Sequence, residues 1–360
     1  MKKKNNLTLW LTSTLLVFLF IELICIIFLY FRFRQYDHSL DRYSRFSATG
    51  VVICKALEAL LPEPKKNKSF ERFKAEPYPF FVEDSLHGYR VNPGRYIMTI
   101  AKRDNEKQRF FKYGVTINDQ HQRNVGTADS PFLRRVMVFG DSWIFGYGVN
   151  DEQTFTYQLQ QSDRRSKYNM FAMPGYSLSN SYLDFQKVKG LLGKKDVVVL
   201  GYADFYKIRH VAAPSRIREN GNPNKIMLNP QIKQLRARLD STRNLVFDYV
   251  PVFCAFAAGY CDNADPTAEY MNDVTIKLIN AIAEQTEAMV YVLHFKGFKS
   301  DPILKQLHAK VKGVSVLPED FDYDMQDQIM DYDHHPGPYW HYAVYTKLSE
   351  FLGKANIDGK

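Results

Sequence analysis

Residues 134–149 read RRVMVFGDSWIFGYGV. A short, nearly continuous apolar run ends at Gly140-Asp141, and Ser142 opens the next element. Such a run fits a parallel strand covered on both faces. Two further runs share this character, KDVVVLGYAD (195–204) and AMVYVLHF (288–295). Helical periodicity lies between and after them, in EQTFTYQLQQ (152–161), SNSYLDFQKVKGLLG (179–193), PTAEYMNDVTIKLINAIAEQ (266–285) and WHYAVYTKLSEFLGK (340–354). Strands alternating with helices predict an α/β protein, a three-layer α/β/α sandwich on a parallel sheet.

The domain so defined covers residues 131–355. Residues 205–265 break its rhythm and read as an insertion able to form a lid or cap. Upstream, residues 76–130 carry short alternating runs such as RYIMTIAK and KYGVTIND, which predict a small β-rich lead-in. Residues 32–75 read as a juxtamembrane linker ending in the stretch LPEPKKNKS (61–69). Residues 7–31, LTLWLTSTLLVFLFIELICIIFLYF, are long enough to cross a bilayer as a helix, which takes roughly 20 residues. The run is too long for the apolar part of a cleaved signal and lacks a small-x-small cleavage site, so it reads as a transmembrane signal anchor. Lys2, Lys3 and Lys4 precede it and Arg32 and Arg34 follow. That balance puts residues 1–6 in the cytoplasm and the rest in the periplasm or otherwise outside the plasma membrane. The expected partner of residues 7–31 is therefore the lipid bilayer. Glu22 sits mid-span and reads either as a protonated carboxyl against a neighbouring helix or as a polar contact to another membrane helix.

Composition excludes several classes. The 360 residues are 45% hydrophobic and 24% charged, enough to bury a core and too apolar for general disorder. With 19 Gly, 16 Pro and 4 Cys and no internal repeat, the chain is no collagen, solenoid or disulfide scaffold. The net charge of +9 owes four units to residues 1–34, and the remaining basic residues are scattered. No basic stripe for nucleic acid emerges, and no nucleic-acid partner is expected. Cys254 and Cys261 read equally as a small disulfide loop or as two free thiols. No Cys/His spacing suggests a metal.

Ser142 at a strand-to-helix turn lies at the carboxyl edge of a parallel sheet, where open α/β sheets bind ligands. The turn offers backbone N–H groups, and Gly140, Gly146 and Gly148 allow close backbone approach. A serine nucleophile needs a base, and the base an orienting acid. The stretch IMDYDHHPGPYWHYAVYTKL (329–348) supplies Asp331, Asp333, His334 and His335 just before the last helix.

These blocks, in this order, resemble the GDSL/SGNH hydrolases, serine esterases and acyltransferases of flavodoxin-like α/β/α fold. Phe139-Gly140-Asp141-Ser142 matches the nucleophile block. Asn169 followed by Pro174-Gly175-Tyr176-Ser177 resembles the second block, which implies the Gly175 N–H as an oxyanion donor beside that of Ser142. The family's terminal His-Pro step aligns with His335-Pro336, which implies His335 as the base and Asp333 as its acid. The competing register pairs Asp331 with His334. His341, in the following helix, reads as structural. The third block departs from the pattern: Gly201-Tyr202-Ala203-Asp204 has Ala203 where the family carries a donor Asn. Asp141, Asp204, Tyr206 and His210 are candidates to line the pocket. The resemblance implies a Ser-His-Asp mechanism with no cofactor and no metal.

The leading expectation is a membrane-anchored serine esterase acting on an ester-bearing envelope glycan or lipid. An O-acyltransferase working with a membrane partner is the second. A non-catalytic glycan-binding or scaffold module on the same fold is the third, and Ala203 speaks for it.

Overall fold

The computed structural model describes residues 72–77, 79–104, 107–203, 205–220, 233–251, 260, 263–295, 303, 306–315 and 335–354, with Ser13, Val17, Phe20, Leu23 and Ile24. The chain divides into two units, Met1–Ser69 with Asn222–Met227, and Phe70–Gly221 with Leu228–Lys360. In the first, the five described residues are helical. The span expected over 7–31 otherwise lies outside the described residues, as do Glu22, Cys254, Cys261, Asp204, Asp331, Asp333 and His334. No helix among the described residues is long and apolar enough to cross a membrane.

The second unit is built on five parallel strands, β6 (Arg134–Gly140), β7 (Ser166–Ala172), β8 (Val197–Tyr202), β11 (Met289–His294) and β12 (Val311–Ser315). Their spatial order is β12-β11-β8-β6-β7. Counted along the chain this is 2-1-3-4-5, the flavodoxin-like arrangement, whose switch point falls between its first and third strands, here β6 and β8. Crossovers between parallel strands are right-handed. The step from β6 to β7 runs one way along the sheet and the later steps run the other, so the helices fall on both faces.

The helices pair accordingly. After the turn at Ser142 comes α2 (Phe155–Ser162), which packs on the last helix, α7 (Pro338–Lys354). The helix after β7, α3 (Leu178–Val188), packs on α6 (Ala268–Glu284) and on the short α4 (Tyr206–His210). Each long helix lies where its 3.6-residue apolar period predicts it. In α6, the buried set Val274, Leu278, Ile279, Ile282 traces one stripe.

The predicted strands 134–141, 195–204 and 288–295 correspond to β6, β8 and β11, the three central strands. In β8 all six residues are buried. The parallel strands with no clear sequence signal, β7 and β12, are the two edges of the sheet. An edge strand is covered less completely, so its sequence alternates: β7 buries Ser166, Tyr168, Met170 and Ala172 and leaves the residues between them at least partly exposed.

The segment ahead of the parallel sheet holds β1 (Arg72–Glu76), β4 (Gly94–Asp104) and β5 (Lys107–Ile117), antiparallel in the order β1-β4-β5, and a hairpin of β2 (Phe81–Asp84) and β3 (Gly88–Val91). It begins at Arg72, inside the segment read as linker. Its buried residues, Tyr89, Val91, Tyr96, Met98, Tyr113, Val115 among them, join one hydrophobic cluster with the parallel sheet. The segment 205–265 contains α4, α5 (Pro214–Asn220) and an antiparallel hairpin of β9 (Lys233–Leu239) and β10 (Leu245–Pro251). Ala237 of this hairpin is wholly buried in the main cluster. The hairpin is thus part of the body rather than a separate cap.

Candidate active site

Strand β6 ends at Gly140, and Asp141 turns the chain in an extended conformation (φ −107°, ψ −153°) to cap α1 (Ser142–Phe145). The cap is a side-chain bond: Asp141 Oδ1 accepts the Trp143 N–H at 2.9 Å. Gly146 ends this single turn in the left-handed region (φ 80°), where glycine is favoured, and its N–H returns to the Ser142 carbonyl. Between cap and stop, Ile144 is driven fully inside. It fits because its neighbours lack side chains. A Cβ on Gly140 would stand 2.3 Å from Ile144 Cγ1, and a Cβ on Gly201 would stand 2.4 Å from the same atom. Gly201 of β8 thus makes room for the turn that carries Ser142.

Ser142 is 6% exposed, at the carboxyl end of the first parallel strand and beside the switch point. Its Oγ lies 2.8 Å from His335 Nε2, and the direction of that hydrogen bond follows the imidazole tautomer. His335 arrives across 193 residues of sequence. Its ring tilts against Tyr147, centroids 4.6 Å apart. Five residues on, Trp340 locks the start of α7. It is buried edge-on to Trp143 (5.9 Å) and Phe295 (5.5 Å). Trp143 in turn stacks on Phe295 at 4.8 Å. The aromatic wall therefore ties the residue after Ser142 to the helix after His335.

The segment Met173-Pro174-Gly175-Tyr176 forms a tight turn. Tyr176 N–H closes on the Met173 carbonyl at 3.1 Å, and Gly175 has φ 85°. Pro at the second and Gly at the third position is the type II pattern, which requires that positive φ. Gly175 is exposed at the turn's tip. Tyr89 of β3 donates its hydroxyl to the Pro174 carbonyl, and the Tyr176 hydroxyl donates to the Tyr89 carbonyl at 2.9 Å. The lead-in thus holds the second block in place.

The other expected pocket residues divide. Asp141 and Tyr206 are brought together: both are wholly buried. Burial raises the pKa of Tyr206 well above the phenol range, and the Asp141 charge adds to the effect. His210 goes elsewhere. It is wholly buried against α6, with Nε2 2.8 Å from Thr275 Oγ1, and burial pulls its pKa down to about 3. It therefore does not line a pocket at Ser142. His341 is likewise enclosed, stacked on Phe155 at 5.9 Å, and burial lowers its pKa to about 3. Ala203 is nearly buried and offers no donor; its carbonyl accepts the Tyr206 N–H at 2.9 Å.

Two arginines escaped the sequence reading. Arg123 is 1% exposed and feeds its guanidinium into the loop behind Ser142: Nη1 donates to the Phe145 and Gly146 carbonyls at 2.7 and 2.6 Å, Nη2 to Val149 at 2.6 Å, and Nε to Asp151 at 2.8 Å. Arg209 of α4 pairs with Asp141, Nη1 to Oδ2 at 3.1 Å. Both contacts join distant parts of the chain, and no local pattern marks them. A cavity of about 220 Å³ between β9 and residues 260–270, lined by Arg236, Tyr260, Asn263 and Tyr270, contains none of these site residues. Among the described residues no cluster of His, Cys, Asp and Glu is arranged to hold a metal.

No family model matches the chain, and no curated protein matches it. Several solved structures are similar. One is a member of the lipolytic protein G-D-S-L family from Veillonella parvula, 14% identical, covering 61% of this chain and 97% of its own, with a TM-score of 0.36. Another is TesA, 11% identical, covering 61% of this chain and 99% of its own at a TM-score of 0.33. A third is the psychrotrophic esterase EstA from Pseudoalteromonas sp., 11% identical, covering 61% of this chain and 98% of its own at a TM-score of 0.30.

Proposed function

We propose that this chain is a serine ester hydrolase of the SGNH type, with Ser142 as nucleophile and His335 as general base. The supporting observation is the 2.8 Å approach of Ser142 Oγ to His335 Nε2 at the switch-point edge of the sheet. In the tautomer with Nε2 unprotonated, the Ser142 hydroxyl donates to it. As Oγ forms its bond to the ester carbonyl carbon, the proton passes to Nε2. The carbonyl oxygen becomes an oxyanion that the N–H groups of Ser142 and Gly175 are placed by the family pattern to receive. Collapse breaks the ester bond, and the departing alkoxide takes the proton from His335. Water, activated by the same imidazole, then releases the acid and restores Ser142. Asp333, two residues before His335, is the proposed orienting acid. Ala203 leaves one donor fewer than the family pattern carries, a change that costs about 10²–10³ in rate in well-studied hydrolases.

The direct test is labelling of the full-length protein by a fluorophosphonate probe. Labelling that vanishes in Ser142→Ala and falls steeply in His335→Ala supports the reading. A folded wild-type protein that takes no label refutes it and favours the binding-module alternative, which Ala203 already motivates.

We further propose that residues 7–31 anchor the chain in the plasma membrane with the catalytic unit outside, which makes esters of envelope glycans or lipids the substrate class. An acyl acceptor other than water, presented by a membrane partner, would turn the same site into an O-acyltransferase. Protease added to intact spheroplasts should digest the catalytic unit; full protection there, with digestion after lysis, contradicts the topology.

A further inference from the structure

The residue next to the nucleophile is a buried acid. Asp141 has no exposed surface, and its two oxygens are used differently. Oδ1 caps Trp143, while Oδ2 accepts Nη1 of Arg209 at 3.1 Å. Arg209 stands one helical turn after Tyr206 on α4. Its guanidinium lies 4.6 Å from the Phe205 ring centroid and 5.6 Å from that of Tyr206, so its orientation is set by two aromatic faces. Its side chain is 17% exposed, against none for Asp141, so the cation closes the carboxylate off from solvent.

A carboxylate in this position is unfavourable for the proposed chemistry. Negative charge develops first on Ser142 Oγ and then on the carbonyl oxygen, one residue away from Asp141. In a poorly solvated turn, like charges at such a separation repel strongly unless a counter-charge cancels them. The third block cannot offset the repulsion with a side-chain donor, since Ala203 has none. Arg209 and Tyr206, both from α4, face Asp141, and His335, with Tyr147 across its ring, faces Ser142.

We infer that Arg209 is a positioning residue for the reaction: by pairing with Asp141 it neutralises the carboxylate beside Ser142 and so permits an anionic nucleophile and oxyanion at this turn. The inference rests on the proposed role of Ser142. It assigns a role to α4, which belongs to the segment that interrupts the α/β rhythm of the sequence.

Two readouts on the full-length protein test it. The first is the rate of fluorophosphonate labelling. Arg209→Gln should slow it on the order of tenfold to a hundredfold, below the loss for an oxyanion donor because the charge acts at one remove. Arg209→Lys should retain most of the rate, and the neutral pair Asp141→Asn with Arg209→Gln should recover at least half of the loss on a logarithmic scale. The second readout does not depend on esterase activity. In a Ser142→Cys background, alkylation by iodoacetamide beyond that of the Ser142 parent reports the thiolate fraction at this position against pH. Arg209→Gln should move the midpoint up by about one unit, the low end of the shift expected from a neighbouring like charge whose counter-charge is gone. Asp141→Asn with Arg209 present should move it down, and the double change should return it close to the parent.

Opposite signs for the two single variants are what a merely structural role does not produce, and the Asp141→Asn arm stands even if Arg209→Gln fails to fold. Midpoints that stay put, or move in the same direction, overturn the inference. Absence of labelling in the wild type, with the midpoints moving as stated, instead overturns the proposed function and leaves the electrostatic role of Arg209 intact.

Discussion

Gly201→Ala is the perturbation that most directly probes how the sheet sets the Ser142 turn. Gly201 is on β8 and Ile144 on α1, so the pair joins the end of β8 to the Ser142 turn. The added methyl would stand 2.4 Å from Ile144 Cγ1 and 2.7 Å from Cδ1, with the Phe139 carbonyl oxygen at 3.4 Å on another side. Ordinary carbon contacts lie at about 3.5–4.0 Å, so α1 must shift by roughly 1 Å or Ile144 must leave its rotamer. Overpacking of this kind costs about 1–3 kcal/mol. A shift of that size also breaks the 2.8 Å approach of Ser142 to His335, and about 1 Å of misplacement can cost a hundredfold in rate. Ile144→Ala alone should cost about 2–5 kcal/mol by leaving a cavity. Combined, the two changes should be better than additive by about 1–3 kcal/mol, since Ala at 144 lacks both clashing atoms. Gly140→Ala supplies an internal contrast. Its Cβ would meet Ile144 Cβ itself at 2.6 Å, an atom Ala retains, so Ile144→Ala should rescue it poorly. Urea unfolding of the six proteins, with fluorophosphonate labelling of each, decides the matter. A Gly201→Ala protein of wild-type stability and labelling rate, or strictly additive costs in the double variant, would refute the packing argument.

Stability should fall with acid through two buried imidazoles. His210 and His341 have folded-state pKa values of about 3, below the unfolded value near 6.5, so the unfolded chain binds their protons first. Their contribution is complete above pH 6.5 and is lost as pH drops toward 3, about 2 kcal/mol for each by pH 5. The loss in unfolding free energy between pH 7.5 and 5 should shrink by that amount in His341→Phe, and an unchanged loss would contradict the assignment. Arg123→Met should cost about 3–5 kcal/mol, because it strands Asp151 and the carbonyls of Phe145, Gly146 and Val149 inside. Arg123→Lys should rescue little, since an ammonium lacks the planar fork that serves these acceptors at once; stability near wild type for either variant in urea would show that the loop holds itself.

The sequence was most readable where one residue's surroundings are decided locally. A strand covered on both faces must be apolar throughout, so β6, β8 and β11 stand out, and a 3.6-residue apolar stripe marks α2, α3, α6 and α7. The edge strands β7 and β12 lack that uniform demand. The hairpin of β9 and β10 gave no strand signal at all, and the segment holding it read as an insertion. At the site, the turn at Gly140-Asp141-Ser142 is encoded by a strand end, a capping acid and a left-handed glycine within seven residues, which is why the position of Ser142 is legible. The His335-Pro336 register came from the family pattern rather than from local physics, and the structure places that imidazole on Ser142.

The alternation of strands and helices and the placing of one serine at a strand-to-helix turn are written in the residue order, because both follow from backbone and burial rules acting over a few residues. Only the folded chain sets the strand order that makes this turn the switch point, the sealing of His210 and His341 away from Ser142, and the contacts of Arg123, Arg209 and Tyr89 with the loops at residues 141–151 and 173–176. Those depend on which surfaces meet when β7 folds to one side of β6 and β8 to the other, and a pairing between residues 68 or 85 positions apart leaves no trace in the local pattern of either.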